Sequence, residues 1–265
     1  MSTEIELKFQ IPAGALPAVE ARLASLGAVI VLPLQARYVD TSERHLARAG
    51  LALRLRREGG PWVQTLKGRG DDLMTRLEHN ADAGEVAEPV LDLSRHDGTP
   101  AGAALQRALV SAAGAALNVR FATDILRRWV RIRHGAAQIE LALDVGRIEG
   151  GSHSLPVCEL EFELIGGEGP GAVADLLDAV SPWVSDLGLW LDPRSKAERG
   201  DRLATARLGR AAAVPEEGPD ARTVLTALIR NTAEAAEFGA PDEAARARSA
   251  EVQEALLAGL RAGLG

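Results

Sequence analysis

Lysine is nearly absent from this chain. Of 30 basic residues only Lys8, Lys67 and Lys196 are lysines, and the rest are arginine. An ammonium is a compact, strongly hydrated point charge, unlike the planar guanidinium fork, so the three retained lysines mark places where that shape is wanted. Aromatic residues are scarce at 3%, which leaves little to stack on a nucleobase or other flat ring. The single cysteine, Cys158, excludes an internal disulfide and fits a reducing compartment. Lying near Val157 and Leu160, it reads as a small buried hydrophobe on a strand and not as a nucleophile. No apolar run approaches the ~18 residues of a membrane span, and the amino terminus has no basic-then-apolar leader, so the expectation is a cytoplasmic protein with no membrane partner. A net charge of −7 excludes a surface that coats nucleic acid; any basic site has to be local. A phosphate-binding glycine loop ending in Lys-Ser/Thr, a dinucleotide glycine fingerprint and a zinc-type Cys/His spacing are also missing.

With 265 residues, 46% of them hydrophobic, the chain can bury a sizeable core. Alternation over 5–11 predicts a strand that ends at Pro12, and Leu16, Val19, Leu23 and Leu26 predict a helix closed by Gly27. Short alternating segments follow at 29–40, 50–57, 62–67, 74–81, 125–134, 137–144 and 157–165. They are separated by turn residues such as Glu58-Gly59-Gly60-Pro61 and His134-Gly135-Ala136. Residues 100–117 read as a helix, with helix and loop at 171–180 and 184–189. The fold class is therefore α+β, dominated by antiparallel sheet. The composition changes near residue 206. We expect a main domain over 1–205, a linker over 206–221 and a short helical appendage over 222–265.

Charge recurs on one face of the strands. Glu4, Glu6 and Lys8 alternate with Ile5, Leu7 and Phe9, so two carboxylates and an ammonium point the same way. Arg54 and Arg56 alternate with Leu53 and Leu55, Lys67 stands two residues from Arg69, and Arg76 and Glu78 flank Leu77. Glu159, Glu161 and Glu163 alternate with Leu160, Phe162 and Leu164. Each strand alone is the solvated face of an amphipathic strand. Their segregation into acid-rich and base-rich strands suits a curled sheet whose charged faces line one interior. Such an interior fits a phosphate chain: Arg forks and Lys point charges neutralise it, and carboxylates hold a hard divalent cation against the remaining oxygens.

These motifs resemble the CYTH superfamily, the triphosphate tunnel metalloenzymes. The resemblance is carried by Glu-Ile-Glu-Leu-Lys at the start, Tyr38-Val39-Asp40-Thr41, the 51–56 and 65–67 strands, 139–144, 158–164 and Ser195-Lys196-Ala197. It implies an eight-stranded antiparallel barrel or tunnel with flanking helices that hydrolyses a triphosphate with Mg²⁺ or Mn²⁺. Among its members the chain is most similar to bacterial inorganic triphosphatases, in which the CYTH domain precedes a helical CHAD domain. By resemblance Glu4, Glu6, Asp144, Glu159 and Glu161 hold metal, and which two of Glu159, Glu161 and Glu163 do so stays open. Lys8, Arg54, Arg56, Lys67, Arg76, Arg128 and Lys196 grip phosphates, with Arg127 an alternative to Arg128. Glu4, Glu6, Lys8 and Lys67 are the expected catalytic groups, and Glu78 and Glu140 hold basic partners or a second metal. The tail departs from the CHAD pattern: no histidine follows His153, and its arginines are outnumbered by acids.

The expected activity is hydrolysis of inorganic tripolyphosphate to pyrophosphate and phosphate. The same tunnel also supports thiamine triphosphate hydrolysis and class IV adenylyl cyclisation, and a non-catalytic polyphosphate-binding module is the remaining alternative. Scarce aromatics favour the bare substrate.

Overall fold

A computed structural model of the chain describes residues 5–69, 76–167 and 169–207, with positions 229, 230, 233, 234 and 237 of the tail. In chain order the elements are β1 (Glu6–Gln10), α1 (Leu16–Ser25), β2 (Ile30–Asp40), α2 (His45–Arg48), β3 (Leu51–Glu58), β4 (Trp62–Arg69) and β5 (Arg76–Gly84). A 3₁₀ turn (Leu93–His96) leads into α3 (Pro100–Ser111), β6 (Asn118–His134), β7 (Ala137–Gly150), β8 (His153–Gly166), α4 (Gly169–Leu187), β9 (Trp190–Leu191) and α5 (Lys196–Ala204). The strands form one sheet in the order β5–β4–β3–β2–β6–β7–β8–β1–β9, and every neighbouring pair is antiparallel. This is the expected antiparallel sheet with flanking helices. Among the described residues its end strands, β5 and β9, are not hydrogen-bonded to each other.

Directly paired residues of an antiparallel ladder share a face, so the register sorts the side chains. On the outer face, Val130, Ile139, Leu141, Leu143, Leu160, Phe162 and Phe9 pack under Val19 and Leu23 of α1 and Leu176, Val180 and Trp183 of α4. Farther along the same face, Val39, Leu53 and Leu66 pack under Leu46 of α2 and Leu105 of α3. Each fully buried side chain of this size contributes about 1.5–3 kcal/mol by leaving water. Helix α3 is started by Thr99, whose hydroxyl accepts from the Gly102 amide at 2.9 Å, and by Pro100 in the first turn. Gly59 and Gly135 hold the positive φ that the β3–β4 and β6–β7 turns require.

The opposite face carries the charges, and α5 lies on it. Its Leu203 packs on Phe121, Ile125, Ile148, Leu155 and Val157, an apolar floor on the sheet. Gly200 is required there, because a Cβ would collide with the Phe121 ring. Strands β6 to β8 are longer than the alternation suggested, beginning at Asn118 and His153 where residues 125 and 157 were expected. The helix expected over 100–117 stops at Ser111, and the loop expected at 184–189 is largely helix, since α4 runs through Pro182 to Leu187. The 206–221 segment and the second tail helix fall outside the described residues, apart from 206 and 207.

Candidate metal and phosphate site

Three carboxylates meet on the charged face because two neighbouring strands place them side by side. Asp144 of β7 is paired with Glu159 of β8, and Glu161 is the next residue along on that face. One oxygen from each lies within 4.8 Å of the others. Asp144 and Glu159 are fully buried, and the Glu161 side chain is 12% exposed. Like charges so close and so dry require counter-charge.

Lys196, at the start of α5, supplies it from above. Its Nζ is 2.7 Å from Asp144 Oδ2, 2.8 Å from Glu159 Oε2 and 2.7 Å from Glu161 Oε1. Ser195 sets this start by accepting the Glu198 amide at 3.1 Å. Arg127 forks onto Asp144 through Nε and Nη2, both at 2.7 Å, and its Nη2 also donates to Glu161. Lys8 Nζ is 3.5 Å from Glu159 Oε1 and donates to the Arg194 carbonyl. Gln10 Nε2 reaches Glu159 Oε1 at 3.0 Å, and the fully buried Arg199 donates to the same oxygen. Burial pushes the Glu159 carboxyl up, but Lys196, Lys8 and Arg199 outweigh it and hold the group well below the ordinary carboxylate range. Lys196 responds in the opposite sense: burial pushes its ammonium down, and Glu159, Glu161 and Asp144 hold it well above its usual value.

The basic residues of β3 and β4 stand on the same face, some strands away. Lys67 pairs with Glu78 at 3.2 Å, and both side chains are about half exposed, at 50% and 44%. Arg56 contacts Glu58 at 3.0 Å. Arg54 Nη1 donates to the Tyr38 hydroxyl at 3.4 Å, and its buried Nε has no hydrogen-bond partner among the described residues.

Of the predicted residues, Lys8, Asp144, Glu159, Glu161 and Lys196 are brought together. Glu6 and Glu163 are paired with each other one step along the sheet, beside Glu140. Arg54, Arg56 and Lys67 line the other wall. Glu4 lies outside the described residues, and so does the side chain of Arg76. Arg128 is not on the charged face: it pairs with Leu143 and reaches Glu20 of α1 at 3.5 Å on the outer face. The neighbouring Arg127 takes the inward position. The His134–Ala137 pair that flanks the β6–β7 turn already decides this, since counting back from it leads Asp144 to Arg127. Gln10, Arg194 and Arg199 were not anticipated. Gln10 continues the Glu6–Lys8 alternation and was within reach; the two arginines carry no pattern that marks them. Cys158 is half-buried on the outer face, where burial raises its pKa ahead of the nearby Glu159 and Glu20 charges, consistent with a packing role.

A family model described as the CYTH domain matches residues 2–189. The chain belongs to the CYTH family. A similar protein is the inorganic triphosphatase of Haemophilus influenzae, 30% identical over 173 residues, which is 63% of this chain and 45% of that protein. The chain thus spans about half the length of that relative. A putative adenylyl cyclase from Hippeastrum, described as having a dominant triphosphatase activity, is 18% identical over 75% of this chain and 95% of its own, with a TM-score of 0.49. A putative adenylate cyclase from Bacillus halodurans is 16% identical over 75% of this chain and 97% of its own, with a TM-score of 0.44. As a CYTH protein the chain falls among enzymes that use divalent metals. Its buried acidic cluster also has the donors for one, because three carboxylate oxygens suit a hard cation. Glu159 Oε2 is buried with the Lys196 ammonium 2.8 Å away, and a divalent cation bound to it would take over from that ammonium.

Proposed function

We propose that this CYTH domain hydrolyses inorganic triphosphate with the help of Mg²⁺ or Mn²⁺. The observation that carries the reading is the Asp144–Glu159–Glu161 cluster, set among Lys8, Arg127 and Lys196 and sharing a face with Arg54, Arg56 and Lys67. The three carboxylates would hold the cation, assisted by Glu4 and Glu6 from the start of the chain. Bound there, a divalent cation supplies charge neutralisation for phosphate oxygens and makes a nearby water more acidic. Arg54, Arg56, Lys67, Lys8 and Arg76 grip the phosphates and orient the terminal one. Water oxygen bonds to the terminal phosphorus, the bridging P–O bond breaks, and its electron pair leaves on pyrophosphate, where the lysines stabilise the charge. The water's protons pass to phosphate oxygens or solvent.

The bare triphosphate is favoured over a nucleotide or thiamine ester because aromatic residues are only 3% of the chain and some of the rings on this face already have partners. Tyr38 stacks on Phe121 at 4.4 Å, and Arg131 lies over Trp129 at 4.9 Å. One observation supports a binding module as the second reading: the Lys196 ammonium lies within 2.8 Å of an oxygen of each of the three carboxylates and so supplies the counter-charge that a metal would bring. Phosphate release from tripolyphosphate, ATP and thiamine triphosphate, each with and without Mg²⁺ or Mn²⁺, separates the readings. Fastest release from tripolyphosphate, dependent on metal, is expected. Tight tripolyphosphate binding with no turnover would replace the enzyme by the module. Glu4→Gln with Glu6→Gln should abolish turnover and leave the fold intact; undiminished activity would remove those two from the metal site.

A further inference from the structure

The described residues of the tail bear on the acidic cluster through two arginines that the proposed chemistry does not use. Arg194 and Arg199 are each 1% exposed. Arg194 is held by Asp192, with Nε 2.8 Å from Oδ1 and Nη2 2.8 Å from Oδ2. Its other contacts come from the tail: Nη1 donates to Glu234, and Nη2 lies 2.8 Å from Glu237 Oε2. Arg199 is stretched between the two regions, giving Nη1 to Glu159 of the cluster and Nη2 to Glu237. Arg230, Ala233, Glu234 and Glu237 recur at the spacing of one helix face; Arg230 pairs with Glu198 of α5, and Ala233 is fully buried.

The charge count gives this contact a consequence. Among the described residues, the network without the tail has four carboxylates (Asp144, Glu159, Glu161, Asp192) against five cations (Lys8, Arg127, Arg194, Lys196, Arg199). Glu234 and Glu237 add two carboxylates and tie in Arg202, so that six described carboxylates face six described cations. Deprived of Glu237, the buried Arg199 has Glu159 as its remaining carboxylate among the described residues, and a divalent cation entering the cluster meets excess positive charge.

We propose that the tail helix is an intramolecular clamp on the acidic cluster: Glu237, with Glu234, is a positioning residue that acts through Arg199 and Arg194 to keep Glu159 available to a divalent cation. The clamp makes Arg230, Ala233, Glu234 and Glu237 part of the working CYTH unit. It rests on the reading that Asp144, Glu159 and Glu161 hold the metal.

The test is Mn²⁺ titration of the full chain by calorimetry, without substrate, alongside thermal unfolding. Glu237→Gln keeps the shape and removes the charge; it should weaken Mn²⁺ binding roughly tenfold, the size expected for losing a charge near a partly buried ion. Glu237→Asp should retain affinity close to the parent's. Ala233→Glu, which forces the tail face away while its acids remain in the chain, should weaken binding as Glu237→Gln does, and it serves if the charge variant does not fold. Folded Glu237→Gln and Ala233→Glu proteins that both bind Mn²⁺ within about twofold of the parent would overturn the clamp. Glu161→Gln, titrated in parallel, keeps the two ideas apart. If it loses Mn²⁺ binding while the tail variants do not, the clamp alone is wrong; if it binds like the parent, the metal reading fails and the clamp with it.

Discussion

The two charged walls of this sheet are built from the same alternation but to opposite designs. The wall of β6, β7, β8 and β1 buries its charges and shares each among several partners: Glu159 alone faces Lys8, Gln10, Lys196 and Arg199. The wall of β3, β4 and β5 leaves Arg56 and Lys67 about 40% to 50% exposed, each in an ion pair with one strand neighbour. Buried, multiply paired charges are costly to disturb and strongly coupled, whereas exposed pairs contribute little to stability and yield easily to a ligand. The acidic wall is therefore organised before any ligand arrives. The basic wall is ready to exchange its present partners for phosphate oxygens.

The largest effect should come from breaking the acidic wall. Arg199→Ala leaves Glu159 and Glu237 without their shared cation and is expected to lower unfolding free energy by about 3–5 kcal/mol, measured by urea denaturation. A loss below about 1 kcal/mol would mean that the network is not cohesive. Next comes the choice between neighbours on β6. Arg127→Leu should reduce turnover roughly a hundredfold by unbalancing Asp144 and Glu161, while Arg128→Leu on the outer face should change it by less than about twofold. Equal effects in steady-state kinetics would mean that the face assignment has no bearing on the reaction.

On the basic wall, Lys67→Met should raise KM about tenfold while changing stability by no more than about 1 kcal/mol, as expected where an exposed pair holds a ligand more than a fold. A stability loss as large as that of Arg199→Ala would erase the contrast between the walls. The smallest effect lies behind that wall. Fully buried His96 takes the Gln64 amide on Nε2 at 2.9 Å and contacts His79 Nδ1 through Nδ1 at 2.9 Å. Gln64 is oriented by the Asp92 backbone, so both contacts suit a neutral ring. Burial, then the nearby His79 and Arg95, lower the His96 pKa. The unfolded chain thus binds this proton more readily, and stability should fall as pH drops below about 6.5, by at most about 1.4 kcal/mol per pH unit. Melting at pH 5 and 7.5 should show that loss in the parent and not in His96→Gln; an equal loss in both would acquit His96.

Much of this was legible in the chain because sheet alternation has a period of two: once Leu53 and Leu160 are taken as core, Arg54 and Glu159 must face the other way. What alternation cannot decide is register. Arg127 and Arg128 are adjacent, and only pairing across the β6–β7 turn selects between them. Likewise the choice among Glu159, Glu161 and Glu163 depends on which of them Asp144 stands beside. Arg199 and Glu237 were illegible for another reason. They meet the cluster by packing of distant helical segments, and a lone arginine or glutamate on a helix looks like any solvated charge.

The most direct measurement is phosphate release from tripolyphosphate with Mn²⁺, comparing the parent with Glu161→Gln, whose side chain lies at the rim of the cluster and whose loss should spare the fold. Metal-dependent release by the parent and a loss of about a hundredfold or more in the variant are expected. Equal turnover by the two proteins would contradict the metal reading.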